Sequence, residues 1–193
     1  MLIAVIVIVV LVIVLLLVVI GLNNSMIGAR NRVDEAWSGI DVQLKRRHDL
    51  VPNLVETVKG YATHEREVFE KVTAARAEAT KAHTPAESAQ KEGQLTQALT
   101  DLRAVAENYP ELRATENFQK LQNELTEIED EIQASRRIYN SNVQAFNTKI
   151  QVFPNSIIAN NRGFTAREFF EIEDPAQREP VAVSFTQPPP ATA

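Results

Sequence analysis

The feature that most constrains this chain is an uncharged apolar run at residues 2–22, where no side chain carries a charge or a hydrogen-bonding group. As an α-helix, 21 residues extend about 31 Å, which is the thickness of a bilayer hydrocarbon core. A soluble domain in a chain of 193 residues does not require so long a run. We therefore predict a transmembrane anchor at residues 1–22, with the membrane lipid bilayer as its partner.

A cleaved signal peptide is the alternative interpretation of this run. Signal peptides have basic residues before a shorter apolar region and small residues at the cleavage site. Here no Lys or Arg precedes the run, the run is too long, and Gly-Leu-Asn-Asn at residues 21–24 is a poor cleavage site. These features favour a retained, single-pass anchor.

The distribution of Lys and Arg predicts the orientation of the anchor. Arg30 and Arg32 follow the run, with Lys45, Arg46 and Arg47 farther along, whereas only the α-amino group precedes it. Because loops rich in Lys and Arg stay in the cytoplasm, we expect the N-terminus outside and the domain in the cytoplasm.

The composition of the remaining residues limits the classes of function. About 170 residues follow the anchor, which is enough for one compact domain. The net charge of −5 and the few aromatic residues argue against a nucleic-acid interface, which requires a basic surface. The absence of cysteine excludes disulfides, thiolate catalysis and cysteine-based zinc sites, and leaves the redox compartment open.

Helical periodicity dominates the domain. From Arg30 onward apolar residues recur at helical spacing, and the pattern continues through Pro52. A proline inside a helix kinks or ends it, and the lack of nearby turn residues favours a kink. Thr84, followed by Pro85 and Glu87, predicts the start of a second helix. The sequence Asn-Tyr-Pro at residues 108–110 interrupts that helix.

The longest predicted helix covers about residues 115–152. Its apolar seam consists of Phe118, Leu121, Leu125, Ile128, Ile132, Tyr139, Phe146 and Phe153. In the second half Val143 and Ile150 widen this stripe, because Ser135, Asn142 and Lys149 occupy alternate seam positions. A widening stripe indicates a bundle with several neighbouring helices rather than a long two-stranded coiled coil.

The predicted fold class is all-α, with four segments. The transmembrane helix at residues 1–22 precedes an antiparallel bundle of long helices at residues 23–153. A short irregular C-terminal segment follows at residues 154–185, and a Pro-rich, disordered tail occupies residues 186–193. Within the irregular segment, residues 165–168 predict a short turn of helix, and the alternation of Val181, Val183 and Phe185 predicts a short strand.

No motif in the sequence indicates enzymatic chemistry. Nucleotide-binding Gly-rich loops, His-Glu-x-x-His and Gly-x-Ser-x-Gly are all missing. Tyr61 stands where a Glu-x-x-His motif ending at His64 would require Glu. His64 with Glu65 and Glu67 could bind a stray metal, but a solvated helix face is the stronger interpretation. We predict no catalytic residues, no cofactor and no metal site.

Two groups of polar residues remain as a candidate site. One surrounds Pro52, and the other lies near the end of the longest helix. If the two groups meet, they form a groove for a partner, lined by Arg47, Asp49, Asn53, Tyr139, Asn140 and Asn147. The alternative is internal hydrogen bonding that fixes the register of packed helices, because buried amides must be satisfied.

These segments resemble the LemA family. The resemblance is carried by residues 29–37 (Ala-Arg-Asn-Arg-Val-Asp-Glu-Ala-Trp), 41–47, 49–55 and 59–61 in the first half. In the second half it is carried by Tyr139-Asn140, Val143, Phe146-Asn147, Phe153-Pro154, Phe169-Phe170 and residues 180–185. The match extends in order over about residues 20–185 and excludes the Pro-rich tail.

The resemblance implies a bacterial, N-terminally anchored protein of the cell (inner) membrane with an antiparallel helical domain and no enzymatic activity. It also implies a role in membrane organisation or in a membrane protease system. We therefore expect a non-enzymatic scaffold or adaptor that acts through protein partners and through self-association as a homo-oligomer, without nucleic acid. The alternative is a self-assembling protein that organises or shapes the membrane.

Overall fold

The fold is all-α, as predicted. The computed structural model describes residues 1–171, and no strand occurs among them. Its helices are α1 (Leu2–Lys59), α2 (Arg66–Ala79), α3 (Pro85–Glu107), α4 (Pro110–Arg113), α5 (Glu116–Gln151) and α6 (Asn155–Arg162). The predicted strand at residues 181–185 and the predicted tail at residues 186–193 lie outside the described residues.

Helix α1 is one continuous element of 58 residues. Its apolar start is exposed along its whole length, and burial against the rest of the protein begins at Met26. The predicted boundary between anchor and bundle at residue 22 therefore falls inside a helix rather than in a linker. The helix also continues through Pro52, so the prediction that this proline does not end it is confirmed.

Helix α5 packs antiparallel to α1 along the domain. Lys149 Nζ donates to Ser25 Oγ over 2.9 Å, and Asn142 Nδ2 donates to the Arg32 carbonyl over 3.3 Å. At the other end Arg47 lies 3.6 Å from Glu129. Residue numbers therefore increase along α1 in the direction in which they decrease along α5. The predicted seam up to Phe146 is buried, as are the two residues that widen it: Phe118, Leu121, Leu125, Ile128, Ile132, Tyr139, Val143, Phe146 and Ile150.

The prediction that Phe153 belongs to this seam is wrong. Its side chain is 81% exposed. Helix α5 ends at Gln151, and Val152 adopts an extended backbone, so the helical spacing no longer determines where residue 153 points.

Helices α2 and α3 form a second antiparallel pair against the first. The predicted cap is confirmed, since the Glu87 amide donates to Thr84 Oγ1 over 3.2 Å and Pro85 occupies the first turn. Glu87 closes the turn by accepting from the His83 amide. The inner face of α3 buries Leu95, Leu99 and Leu102.

Residues 154–171 depart from the sequence prediction in two ways. Residues 155–162 were assigned to an irregular segment and form α6, which packs on both α1 and α5. The helical turn predicted at Thr165 is wrong, because residues 164–171 are extended or irregular. Gly163, with φ of 70°, ends α6 in the left-handed conformation that favours glycine. The following residues then run along α5 instead of forming another turn.

The helical domain has two ends, which we name by their distance from the apolar run. The near end comprises residues 23–40 and 132–171, including α6. The far end comprises residues 41–131, including α2, α3, α4 and the first half of α5.

Candidate functional site

A cluster of buried charged groups joins α1 to α3 at the far end. Arg47 Nη1 donates to Glu92 Oε2 over 3.2 Å, and the two side chains are 3% and 1% exposed. Arg47 Nη2 donates to Thr96 Oγ1 over 2.8 Å, and Glu129 of α5 lies nearby. His48 Nε2 lies 2.6 Å from the other oxygen of Glu92. Each carboxylate oxygen of Glu92 thus has a partner on α1, as a buried charge requires.

Pro52 explains a second link between α1 and its neighbours. A proline has no N–H, so the carbonyl four residues earlier, that of His48, loses its helical donor. Arg76 Nε of α2 donates to this carbonyl over 2.6 Å. The sequence pattern did not identify Arg76 as the partner of this carbonyl.

The buried cluster lacks the features of an active site. Its charged groups are almost fully enclosed, and the cavity beside it, lined by Thr96, Leu99 and Glu129, has a volume of about 70 Å³. Binding sites for small molecules usually measure about 300–1,000 Å³. In the part of the chain that the structure describes, no three His, Asp or Glu side chains are arranged to hold a metal ion.

At the near end, α5 binds the chain's own residues 167–170. Tyr139 donates from its hydroxyl to the Glu168 carbonyl over 2.8 Å. Asn140 Nδ2 donates to the Phe170 carbonyl over 3.1 Å, and the Phe170 amide donates back to Asn140 Oδ1 over 2.9 Å. Asn147 pairs in the same two-way manner with the backbone of Arg167. These asparagines act as substitutes for the backbone of a neighbouring strand.

Aromatic packing reinforces this near-end contact. The ring of Trp37 lies 5.4 Å from the ring of Tyr139 and 5.8 Å from that of Phe170, measured between centroids. Burial raises the pKa of the Tyr139 hydroxyl to about 12. Arg167 also pairs with Asp34 of α1 over 2.8 Å. Residues 167–170 are therefore fixed to both long helices.

The six residues predicted to line one groove do not come together. Arg47 belongs to the far-end cluster, level with Glu129, whereas Tyr139 lies ten residues farther along α5, which is about 15 Å. Asn140 and Asn147 lie at the near end with Tyr139, and Asp49 and Asn53 are exposed at the far end. The antiparallel register separates the two polar groups, so they do not form the single groove that was one of the two interpretations of the sequence. Arg47, Tyr139, Asn140 and Asn147 instead make internal contacts, which is the alternative that the sequence left open.

Sequence reasoning missed an open groove at the far end, beside α2. Its volume is about 710 Å³, within the range of binding sites. Exposed small residues of α2 form one side, the ring of Phe69 contributes to it, and charged side chains stand at its rim. The lining comprises Lys59, Thr63, Arg66, Phe69, Glu70, Thr73, Ala74 and Ala77. Repeated small residues on an otherwise polar helix were the available signal.

Known proteins resemble this chain over most of its length. The sequence model of the LemA family matches residues 36–185. Protein LemA of Metamycoplasma hominis is 28% identical over 141 residues, covering 72% of this chain and 64% of that protein. Magnetosome protein MamQ 2 of Paramagnetospirillum magneticum is 26% identical over 170 residues, covering 75% of this chain and 62% of that protein.

Magnetosome protein MamQ of Magnetospirillum gryphiswaldense is 25% identical over 170 residues, with the same two coverages. The chain thus spans less than two thirds of the length of these curated relatives. Together with the exposed apolar start of α1, these similarities indicate a membrane-associated helical protein. Because the family model matches more than half of the chain, and the resemblance noted from its motifs is thereby confirmed, this protein belongs to the LemA family.

Proposed function

We propose that this chain is a non-enzymatic, single-pass membrane scaffold that presents a protein-binding groove away from the bilayer. The observation that carries the proposal is the combination of one continuous helix, apolar at its start, with an open groove at its opposite end. From Leu22 to Lys59 the helix rises about 55 Å, so the groove lies far from the proposed span.

The anchor supports the first part of the proposal. The apolar run is long enough to cross a membrane, and none of its side chains is buried within the protein. Arg30 and Arg32 are exposed just beyond it, which favours a cytoplasmic domain at the inner membrane. A retained span predicts that the protein resists carbonate extraction and keeps its first residues. A soluble form that begins near Asn23 would contradict this.

The groove supports the second part. Thr73, Ala74 and Ala77 are exposed and small, so the backbone of a partner segment could approach α2 closely. The rim carries both signs of charge, and Arg66 is already paired with Glu70 over 2.6 Å. A rim of mixed charge without a basic surface suits a protein partner better than nucleic acid. The first candidate partner is a membrane protease system.

The experiment is site-specific photocrosslinking in intact cells. A photoreactive residue at Ala77 should capture discrete protein partners, whereas the same residue at Ala104, an exposed alanine of α3, should capture few. Ala74→Arg should abolish the Ala77 crosslinks, and Ala104→Arg should leave them unchanged. Both arginine variants keep the core intact and should melt like the parent protein.

Two outcomes would contradict the scaffold. Equal crosslinking at Ala77 and Ala104 would show that the groove selects no partner. Crosslinks from Ala77 only to other copies of this chain, with large homogeneous particles in native sizing, would favour the alternative of a self-assembling protein that organises or shapes the membrane.

A further inference from the structure

The turn between α5 and α6 exposes an apolar cluster at the near end. Phe153 is 81% exposed, the largest value for any bulky apolar residue between residues 21 and 171. Val152 and Ile157 beside it are 46% and 57% exposed. Neither α1 nor α5 covers these three side chains, although α6 itself packs on both helices. Such exposure in an otherwise packed domain marks an interaction surface.

The position of this turn along α1 identifies what it faces. Lys149 is level with Ser25 through its hydrogen bond, and Asn142 is level with Arg32. Extending the same antiparallel register by two residues, to the end of α5, brings Gln151 level with Asn23, the first residue after the apolar run. The exposed cluster therefore lies at the height at which the proposed span leaves the hydrocarbon core.

The charge around this turn differs sharply from that of the remaining chain. The near end, residues 23–40 and 132–171, contains seven Lys and Arg and four Asp and Glu, whereas the other residues contain 13 Lys and Arg and 21 Asp and Glu. The near end thus carries a charge of +3 in a chain of net charge −5. Arg30, Arg32 and Arg162 are exposed, and Lys149 is half-buried.

We infer that the turn at residues 152–157, together with the exposed Arg30, Arg32 and Arg162 of the near end, is a second membrane contact that binds anionic phospholipid. Aromatic and aliphatic side chains enter the boundary between headgroups and acyl chains, while Arg side chains bind the phosphates. A cluster of cations near the surface of an anionic leaflet is attracted to it electrostatically, and the attraction grows with each added cation.

This inference rests on the span proposed above and adds a consequence. A single helix through the bilayer leaves its domain free to tilt. A second contact, at the base of α5 and α6, holds the domain in one orientation and keeps the far-end groove away from the lipid.

The absence of cysteine allows a direct test with single labels on the full chain. Phe153→Cys and the control Ile138→Cys are each labelled with an environment-sensitive fluorophore in nanodiscs of phosphatidylglycerol and phosphatidylcholine. Ile138 is also an exposed apolar residue, at 60%, but lies 15 residues up α5, about 22 Å from the turn. We expect a lipid-borne nitroxide to quench the label at residue 153 several-fold more than the label at residue 138.

A second pair of measurements tests the lipid class. In the Arg30→Gln and Arg162→Gln double variant, or in phosphatidylcholine alone, quenching at residue 153 should fall towards the value at residue 138. Quenching that is unchanged by both treatments would overturn the role of anionic lipid.

Equal quenching at both labels would overturn the membrane contact. A label at residue 153 that is shielded from aqueous iodide but not quenched by the lipid nitroxide would also overturn it, in favour of a second copy of this chain. Failure of the span itself is distinguishable, because the protein would then be lost from the nanodisc during carbonate washing.

Discussion

The far end is joined by buried charges, whereas the near end is joined by neutral amides and aromatic rings. At the far end Arg47 and Glu92 are almost fully enclosed between α1 and α3. At the near end Asn140 and Asn147 bind the backbone of residues 167–170 from more accessible positions. A buried charge that loses its partner is costly, whereas a lost amide contact near the surface is mild. The far end should therefore tolerate single substitutions less well than the near end.

The largest effect should come from the buried stripe of α5, which runs through both ends. Leu125→Asp places a carboxylate in the seam between α1 and α5, where Leu125 is 4% exposed. Its unpaired burial costs several kcal/mol against a total stability of about 5–15 kcal/mol, so the whole domain should unfold in circular dichroism. The exposed neighbour Asn123→Asp is the control and should melt normally. Unfolding of the far end alone would show that the two ends are separate cooperative units.

The next effect tests the buried charges. Glu92→Ala removes the buried carboxylate that Arg47 and His48 share and leaves Arg47 only the more distant, partly exposed Glu129, so it should cost about 3–5 kcal/mol in urea unfolding. Adding Arg47→Met should recover part of that loss, since replacing both members of a buried pair with apolar groups of similar volume is nearly neutral, while Ala leaves part of the Glu92 volume empty. Glu78→Ala is a control at an exposed ion pair. If the double variant is no more stable than Glu92→Ala, the cluster is not held together by charge pairing.

The near end should respond more mildly. Asn140→Ala removes both bonds to Phe170, whose own side chain is fully buried, and should cost about 2 kcal/mol. Hydrogen exchange should show faster exchange of the Phe170 amide while α3 stays protected. The exposed neighbour Ser141→Ala is the control. The same loss of stability without faster hydrogen exchange of the Phe170 amide would mean that Asn140 stabilises the whole domain.

The smallest effect concerns Pro52 and Arg76. Arg76→Met removes the donor to the His48 carbonyl and should cost about 1–2 kcal/mol. In a Pro52→Ala background the helix regains its own N–H for that carbonyl, so the same Arg76 substitution should cost clearly less. Equal costs in the two backgrounds would show that Arg76 stabilises α2 for another reason. Denaturant unfolding of the parent protein, the two single variants and the double variant completes this double-mutant cycle.

The sequence predicted those features that depend on local patterns. The buried stripe of α5, the cap at Thr84 and the passage of α1 through Pro52 follow from spacing and cap chemistry. The partners of Arg47 and of the His48 carbonyl did not follow, because they depend on which helices become neighbours in space. Glu92 did have a local signal: it lies three residues before Leu95, on the inner face of α3.

The errors share a physical cause. Phe153 was assigned to the seam by extending a helical spacing past the end of its helix, where Val152 is extended. The hypothesis that the polar groups of Arg47 and Tyr139 meet was based on polar stripes on two separate long helices, but periodicity does not fix how two helices are offset. The contact of Arg47 with Glu129 fixes that offset, and it separates them.

The most direct test of the two-ended arrangement is the height of each end above the bilayer. Donor fluorophores on Asn24→Cys and on Glu56→Cys, both exposed positions of α1, are measured against acceptor lipids in nanodiscs. A continuous helix places residue 56 about 51 Å beyond residue 22, so energy transfer should be strong from residue 24 and weak from residue 56. Strong transfer from both positions would mean that the domain lies flat on the bilayer, which contradicts a near end at the membrane and a far end that presents the groove.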